Sequence, residues 1–199
     1  SSAAVYGSSM GFKEQKKNEK PLNIYGYSKL LFDQYVRKLK LTNEQQVVGL
    51  RYFNVYGPRE SHKGSMASVA YHFNEQIKLK NMANLFKGSH GYSDGEQQRD
   101  FIYVDDVCNV NLWFLANSHI SGIYNLGTGR PTSFNEVAKA IISWHKKGTI
   151  NYIDFPKDLE IAYQCYTSAD LENFRNTGCD LEFKDINEGI HQYLDHLSE

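Results

Sequence analysis

Apolar residues at helical spacing alternate along the chain with short β-branched and aromatic runs. Phe32, Tyr35, Val36 and Leu39 recur at i, i+3, i+4 and i+7, which predicts a helix that opens near Tyr25 and buries that face. Met66, Val69, Ala70, Phe73 and Ile77 form a second stripe, and Ile186, Ile190, Tyr193, Leu194 and Leu197 predict a closing helix. Two more helices are expected near Asp105 to Ala116 and Phe134 to Lys146, the latter opened by a capping box of Ser133 and Glu136. QVVGLRYF (46–53), FIYV (101–104) and GIYNL (122–126) read as strands, and Ser1 to Val5 as the end of another. The polar stretch from Ser8 to Lys20 reads as a solvated loop. Alternating strands and helices with short connections predict an α/β fold with parallel strand pairs and no internal repeat.

Composition narrows the partners. The chain has 199 residues and a formal net charge of -1, so it has no electrostatic case for nucleic acid or an anionic membrane. Any anionic ligand has to be met by local basic groups. Three cysteines, Cys108, Cys165 and Cys179, are odd in number and lack a C-x-x-C spacing, which argues for a reducing, cytoplasmic compartment and inert thiols. No apolar run approaches the roughly 18 residues that span a bilayer, and the N-terminus has no signal-peptide pattern. None of the seven histidines forms an H-x-x-x-H or H-E-x-x-H unit, so no metal site is expected.

Candidate chemistry starts with Ser2 and the helical pair Tyr25 and Lys29 of YGYSK. A serine hydroxyl can bond a substrate oxygen, and a tyrosine can exchange its proton. An ammonium one turn along the helix stabilises the phenolate. Together they suit redox chemistry at a carbinol carbon beside a nicotinamide, although the Y-x-x-x-K spacing alone also fits an aromatic ring packed on a lysine stem. Gly127, Thr128, Gly129 and Arg130 invite a phosphate-loop reading, but Pro131 and Thr132 follow where a third glycine is needed, so a tight turn is expected. Arg99 can pair two phosphate oxygens at once, or cap a strand edge. Asp105 and Asp106 sit where N-capping and the helix dipole account for them.

SSAAVYG, PLNIYGYSK, LRYFNVYGPR and RDFIYVDDV, in this order, resemble the extended short-chain dehydrogenase/reductase superfamily over essentially the whole chain. Within it RYFNVYGPRESHKGSMASVAYH (51–72), VNLWFLAN and YNLGTGRPTSF resemble the ADP-glycero-manno-heptose 6-epimerase family. The resemblance implies a Rossmann-type parallel sheet, incomplete here, with residues 1–56 remaining from it and 57–199 mainly forming a smaller α/β substrate-binding domain. In that family a Gly-rich half precedes the serine; this chain begins at Ser1, and by itself is expected to be inactive. The implied activity is NADP-dependent inversion at C6 of an ADP-heptose through a transient ketone, serving lipopolysaccharide inner-core synthesis.

The same resemblance nominates Ser2, Tyr25, Lys29 and Lys63 as catalytic, with Lys63 the second acid/base opposite Tyr25. Lys29, Val55 and Lys63 match cofactor contacts, and Asn54, Ser65 and His72 match substrate contacts. Phe86, Lys87, Gly88 and Ser89, with Arg99 and Tyr163, match groups that hold the ADP moiety. The segment HGYSDGEQQ between Ser89 and Arg99 is longer than the family loop. A homo-oligomer, by resemblance a pentamer, is implied.

Rival readings remain. Nucleotide-sugar 4,6-dehydratases carry an acid beside the catalytic hydroxyl in a T-D-E pattern, where this chain has Ala3 and Ala4. UDP-hexose 4-epimerases share the serine, tyrosine and lysine but not the H-K-G-S-M-A-S segment. A noncatalytic fragment is the reading from a different class.

Overall fold

A computed structural model describes residues 1–39, 45–156 and 163–198 of the chain. It is an α/β fold in which the parallel strands are assembled from distant parts of the sequence. β1 (Val48–Tyr52) pairs in parallel with β5 (Gly122–Leu126), and Ser2 continues that edge through a parallel bridge to Tyr52. β2 (Asn54–Tyr56) runs parallel to β4 (Gln98–Tyr103), which also carries the antiparallel β6 (Pro131–Ser133). β3 (Met82–Phe86) pairs in parallel with β7 (Thr149–Ile153).

The helices are α1 (Ile24–Lys38), α2 (Val69–Lys80), α3 (Val104–Ala116), α4 (Phe134–His145), the single turn α5 (Glu172–Arg175) and α6 (Ile186–Ser198). Local chemistry sets their ends. The Ser133–Glu136 capping box opens α4, and Ser68 opens α2 by accepting the Tyr71 N–H at 3.2 Å. Asn81 and Lys146 close α2 and α4 in the left-handed conformation.

Phe73 and Ile77 of α2, Val137 and Ile141 of α4, and Ile190 and Leu194 of α6 pack on Leu85 and Phe101 to make the largest core. Gly189 lets α6 approach β2, since a Cβ there would lie 1.9 Å from the Tyr56 hydroxyl. A second core forms around Leu50, Ile102, Val110 and Phe174; a third, around Val5, Tyr6, Phe12, Leu30 and Phe53, underlies the N-terminal segment. Among the described residues no helix is long and apolar enough to cross a membrane.

Several expectations need correction. Ser1 to Val5 is not a strand beyond the Ser2 bridge, because Ala3–Val5 curls into a 3-10 turn capped by the Ser2 hydroxyl. The stretch 8–20 is not solvated throughout: Phe12 is buried, and the Glu19 side chain is 3% exposed. Phe32 and Tyr35 of α1 and Leu39 just after it are exposed, and Gly26, Leu30 and Asp33 face inward instead. Met66 lies outside α2 and is exposed. Asp105 and Asp106 lie in the first turn of α3, yet neither caps it; Asp106 is buried against Lys184 at 3.1 Å. Cys179 is buried, but Cys108 is exposed.

Candidate active site

The front of the chain and the first turn of α1 abut. Asn23 caps α1 by accepting the Gly26 N–H at 2.8 Å. Gly26 rests on the Ser2–Ala4 segment so closely that an added Cβ would sit 2.6 Å from the Ala4 carbonyl oxygen. The Ser2 hydroxyl oxygen accepts the Ala4 N–H at 3.2 Å, which leaves its proton free for a ligand. Tyr25 is 55% exposed, and Lys29 Nζ lies 5.2 Å from the Tyr25 ring centroid. Serine, tyrosine and lysine thus share one end of the fold.

Beside them runs a cleft. A cavity of about 200 Å³ is lined by Ala4, Gly7, Leu22, Asn23, Arg99, Tyr163 and Gln164. It shares Gly7, Leu22, Tyr163 and Gln164 with a cavity of about 580 Å³ whose walls include Met10, Phe12, Tyr92 and Tyr166. β4 delivers Arg99 into the junction with only 8% exposure. Its guanidinium carbon stands 4.8 Å from the Tyr163 ring centroid and 5.9 Å from that of Phe134. Phe155 extends the aromatic wall, 4.8 Å from both Tyr163 and Phe86.

No ion pair among the described residues engages Arg99; its Nη1 donates to the Gln98 carbonyl at 3.0 Å. Burial lowers its pKa and raises that of the Tyr163 phenol, against the opposing pull of Arg99 on the phenol. A desolvated guanidinium without a carboxylate is matched to an anionic ligand, and its planar fork to phosphate oxygens.

Asp100, the next residue on β4, is wholly buried and clasps the Gly-rich turn. Its carboxylate accepts N–H groups from Thr128 at 2.7 Å, Gly129 at 2.9 Å and Ala169 at 2.8 Å. The turn at Gly127–Arg130 therefore cradles a side-chain anion of the protein itself, which is why a phosphate-loop reading fails.

The remaining nominated residues lie on several elements. Phe86 ends β3 in the aromatic wall, while the Lys87 ammonium turns to Asp154 at 2.7 Å. The Gly88 N–H donates to Asp94 at 2.7 Å, and Gln97 Nε2 donates to the Ser89 hydroxyl at 3.3 Å, so the long loop folds on itself. Asn54 is exposed at the start of β2 and Val55 is half-buried. Lys63 and Ser65 are exposed on the 3-10 segment Ser61–Met66, and His72 meets the Tyr71 ring edge-on at 5.9 Å. Among the described residues no contact joins Lys63 to Tyr25, so the structure does not itself bring the two proposed bases together. Phe134, Phe155 and Asp100 escaped the sequence reading; an apolar ring beside an arginine has no motif of its own.

Known proteins resemble this chain in sequence and in fold. The NAD dependent epimerase/dehydratase family matches residues 1–127. The ADP-L-glycero-D-manno-heptose-6-epimerase of Alkalilimnicola ehrlichii is 54% identical over 199 residues, which is 100% of this chain and 62% of that protein. The crystal structure of the Helicobacter pylori ADP-L-glycero-D-manno-heptose-6-epimerase superposes with a TM-score of 0.84 at 34% identity, over 100% of this chain and 58% of that one. The Thermus thermophilus UDP-glucose 4-epimerase, solved with NAD, gives a TM-score of 0.78 at 26% identity over 99% of this chain and 62% of that one.

Proposed function

The chain belongs to the NAD dependent epimerase/dehydratase family, and on that premise we propose that the full-length protein inverts C6 of an ADP-heptose, a precursor of the lipopolysaccharide inner core. The observation that carries this reading is the buried Arg99, free of carboxylates among the described residues and set in a cleft between the Ser2–Tyr25–Lys29 corner and an aromatic wall. The chain spans 62% of the length of the curated relative, so the activity is proposed for the full-length protein and not for these 199 residues alone.

The Tyr25 and Lys29 side chains fit a nicotinamide cofactor, NADP on this reading: the phenol is half exposed, and the ammonium lies against its ring and, among the described residues, in no ion pair. When bound, that cofactor supplies acceptance and return of the C6 hydride. The protein's own groups do the rest. Arg99, stacked on Tyr163, holds the diphosphate; Phe86 and the backbone at Lys87, Gly88 and Ser89 border the nucleoside. Asn54, Ser65 and His72 orient the sugar, with Val55 and Lys63 near the cofactor.

Ser2 donates a hydrogen bond to the C6 oxygen, and Tyr25 takes the hydroxyl proton as the carbon becomes planar. It does so as a phenolate, which Lys29 stabilises. Lys63 serves the hydroxyl in the opposite orientation, so the ketone is reduced to the other configuration. Ala3 and Ala4 offer no acid to a departing hydroxyl, which disfavours dehydration.

Incubating the full-length protein with ADP-D-glycero-D-manno-heptose and NADP tests the proposal. The C6 epimer is expected. Unchanged substrate, or a dehydrated keto-deoxy sugar in the mass spectrum, overturns it.

A further inference from the structure

We propose that Glu60 is the positioning residue for Lys63, closing the exposed loop that carries the lysine and tying it to α6; this rests on the reading that Lys63 serves the reaction. Glu60 is 3% exposed. Its Oε2 accepts the Ser68 N–H at 2.7 Å, and its Oε1 accepts the Ser68 hydroxyl proton at 2.7 Å and the Tyr193 hydroxyl proton at 2.9 Å. Ser68 in turn caps α2. One carboxylate therefore joins both ends of the loop and two helices.

Little else holds the loop. Ser61–Met66 are all exposed, and their side chains take part in none of the hydrogen bonds or ion pairs found among the described residues. Inside it, the Lys63 N–H reaches the Glu60 carbonyl at 2.9 Å and the Ala67 N–H reaches the Gly64 carbonyl at 3.1 Å. Gly64 reverses the chain at φ 54, directly after the lysine. The position of the Lys63 backbone thus depends on where the two ends are fixed. A buried carboxylate gripping three donors fixes them more narrowly than apolar packing does, because charge-assisted bonds are short and directional. Misplacement of an acid/base by about 1 Å costs up to about 100-fold in rate.

The test uses the full-length protein, with amide exchange of residues 61–67 read by mass spectrometry and steady-state kinetics on the ADP-heptose. Glu60→Ala is expected to speed loop exchange at least about 10-fold and to lower kcat about 10- to 100-fold, with KM within about 2-fold of wild type. Glu60→Gln, which keeps an acceptor for the Ser68 N–H and a donor for its hydroxyl, is expected to restore most of both. Tyr193→Phe removes only the tie to α6; it lowers Tm but leaves loop exchange and kcat near wild type. If Glu60→Ala fails to fold, Ser68→Ala serves, with intermediate loosening expected. Wild-type loop exchange in folded Glu60→Ala or in Ser68→Ala, or equal loosening in Tyr193→Phe, overturns the proposal. Faster loop exchange with unchanged kcat upholds Glu60 as the anchor and removes Lys63 from the mechanism.

Discussion

The guanidinium carbon of Arg99 stands 4.8 Å from the ring centroid of Tyr163, and stacking rather than an ion pair holds this cation in the cleft. Lysine at that position keeps the charge but has neither the plane nor the fork. Arg99→Lys is expected to weaken ADP binding to the full-length protein about 10- to 100-fold by calorimetry, the scale of a lost charge-assisted pair. An unchanged Kd would remove Arg99 from the diphosphate site.

Tyr25→Phe and Lys63→Met each delete one proposed proton carrier from an exposed position, so neither should harm folding. Each is expected to depress epimerisation about 100-fold or more. Wild-type turnover by Lys63→Met would sink the two-base scheme, while leaving the tyrosine in place.

Gly26→Ala tests the contact that seats α1 on the N-terminal segment. The new methyl would lie 2.6 Å from the Ala4 carbonyl oxygen and 3.0 Å from the Pro21 Cβ, so the helix has to move. We expect stability to fall by about 1 to 3 kcal/mol, the range for overpacking. Activity should fall by more than that loss alone explains, because Tyr25 shifts relative to Ser2. A variant with wild-type urea midpoint and kcat would show that the approach is not tight.

Asp100→Asn replaces one acceptor oxygen with an amide that meets N–H donors at Thr128, Gly129 and Ala169. Loss of charge-assisted bonds at a wholly buried site is expected to cost about 3 kcal/mol in denaturant titrations. A loss under about 1 kcal/mol would mean that the turn holds itself.

His145, whose Nε2 lies 2.8 Å from Asn74 Oδ1, predicts a pH effect on stability. Burial, then Lys78 and Lys147, hold its pKa below the ordinary 6.5. The unfolded chain therefore binds the proton first, and stability rises with pH across that window. The contribution is full above about pH 6.5 and is lost as pH falls toward the lower folded value. Tm should accordingly drop more between pH 7.5 and 5 in wild type than in His145→Gln, whose amide can still donate to Asn74. Identical pH profiles would contradict the assignment.

What could be read from sequence follows from the range of each interaction. α4 was legible from its cap and apolar stripe and α6 from its apolar stripe, because these signals are local. The inward face of α1 was not, since Asp33 turns toward Arg51, and an apolar count gives no weight to a buried carboxylate. β3 and β7 were missed because MANLF carries the poor strand formers Ala and Asn, and because TINYI, rich in β-branched and aromatic residues, finds its partner only across most of the middle of the chain. Ser2, Tyr25 and Lys29 stood out by motif. The surroundings of Arg99 did not, because Phe134 reaches it from a helix start and Tyr163 from a separate loop.

Arg51 is fully enclosed, with Asp33 at 2.9 Å and Glu19 at 2.5 Å, the latter also gripping Arg37, and its Nη1 meets no acceptor among the described residues. Its charges come from β1, α1 and the segment ahead of α1. A partial assembly strands a bare ion in the interior, a penalty of about 3 to 5 kcal/mol. These three pieces therefore gain by docking simultaneously and lose by docking in turn. The cluster makes the N-terminal region all-or-none: the helix that bears Tyr25 and Lys29 is either seated in full or detached, with no half-assembled form worth populating.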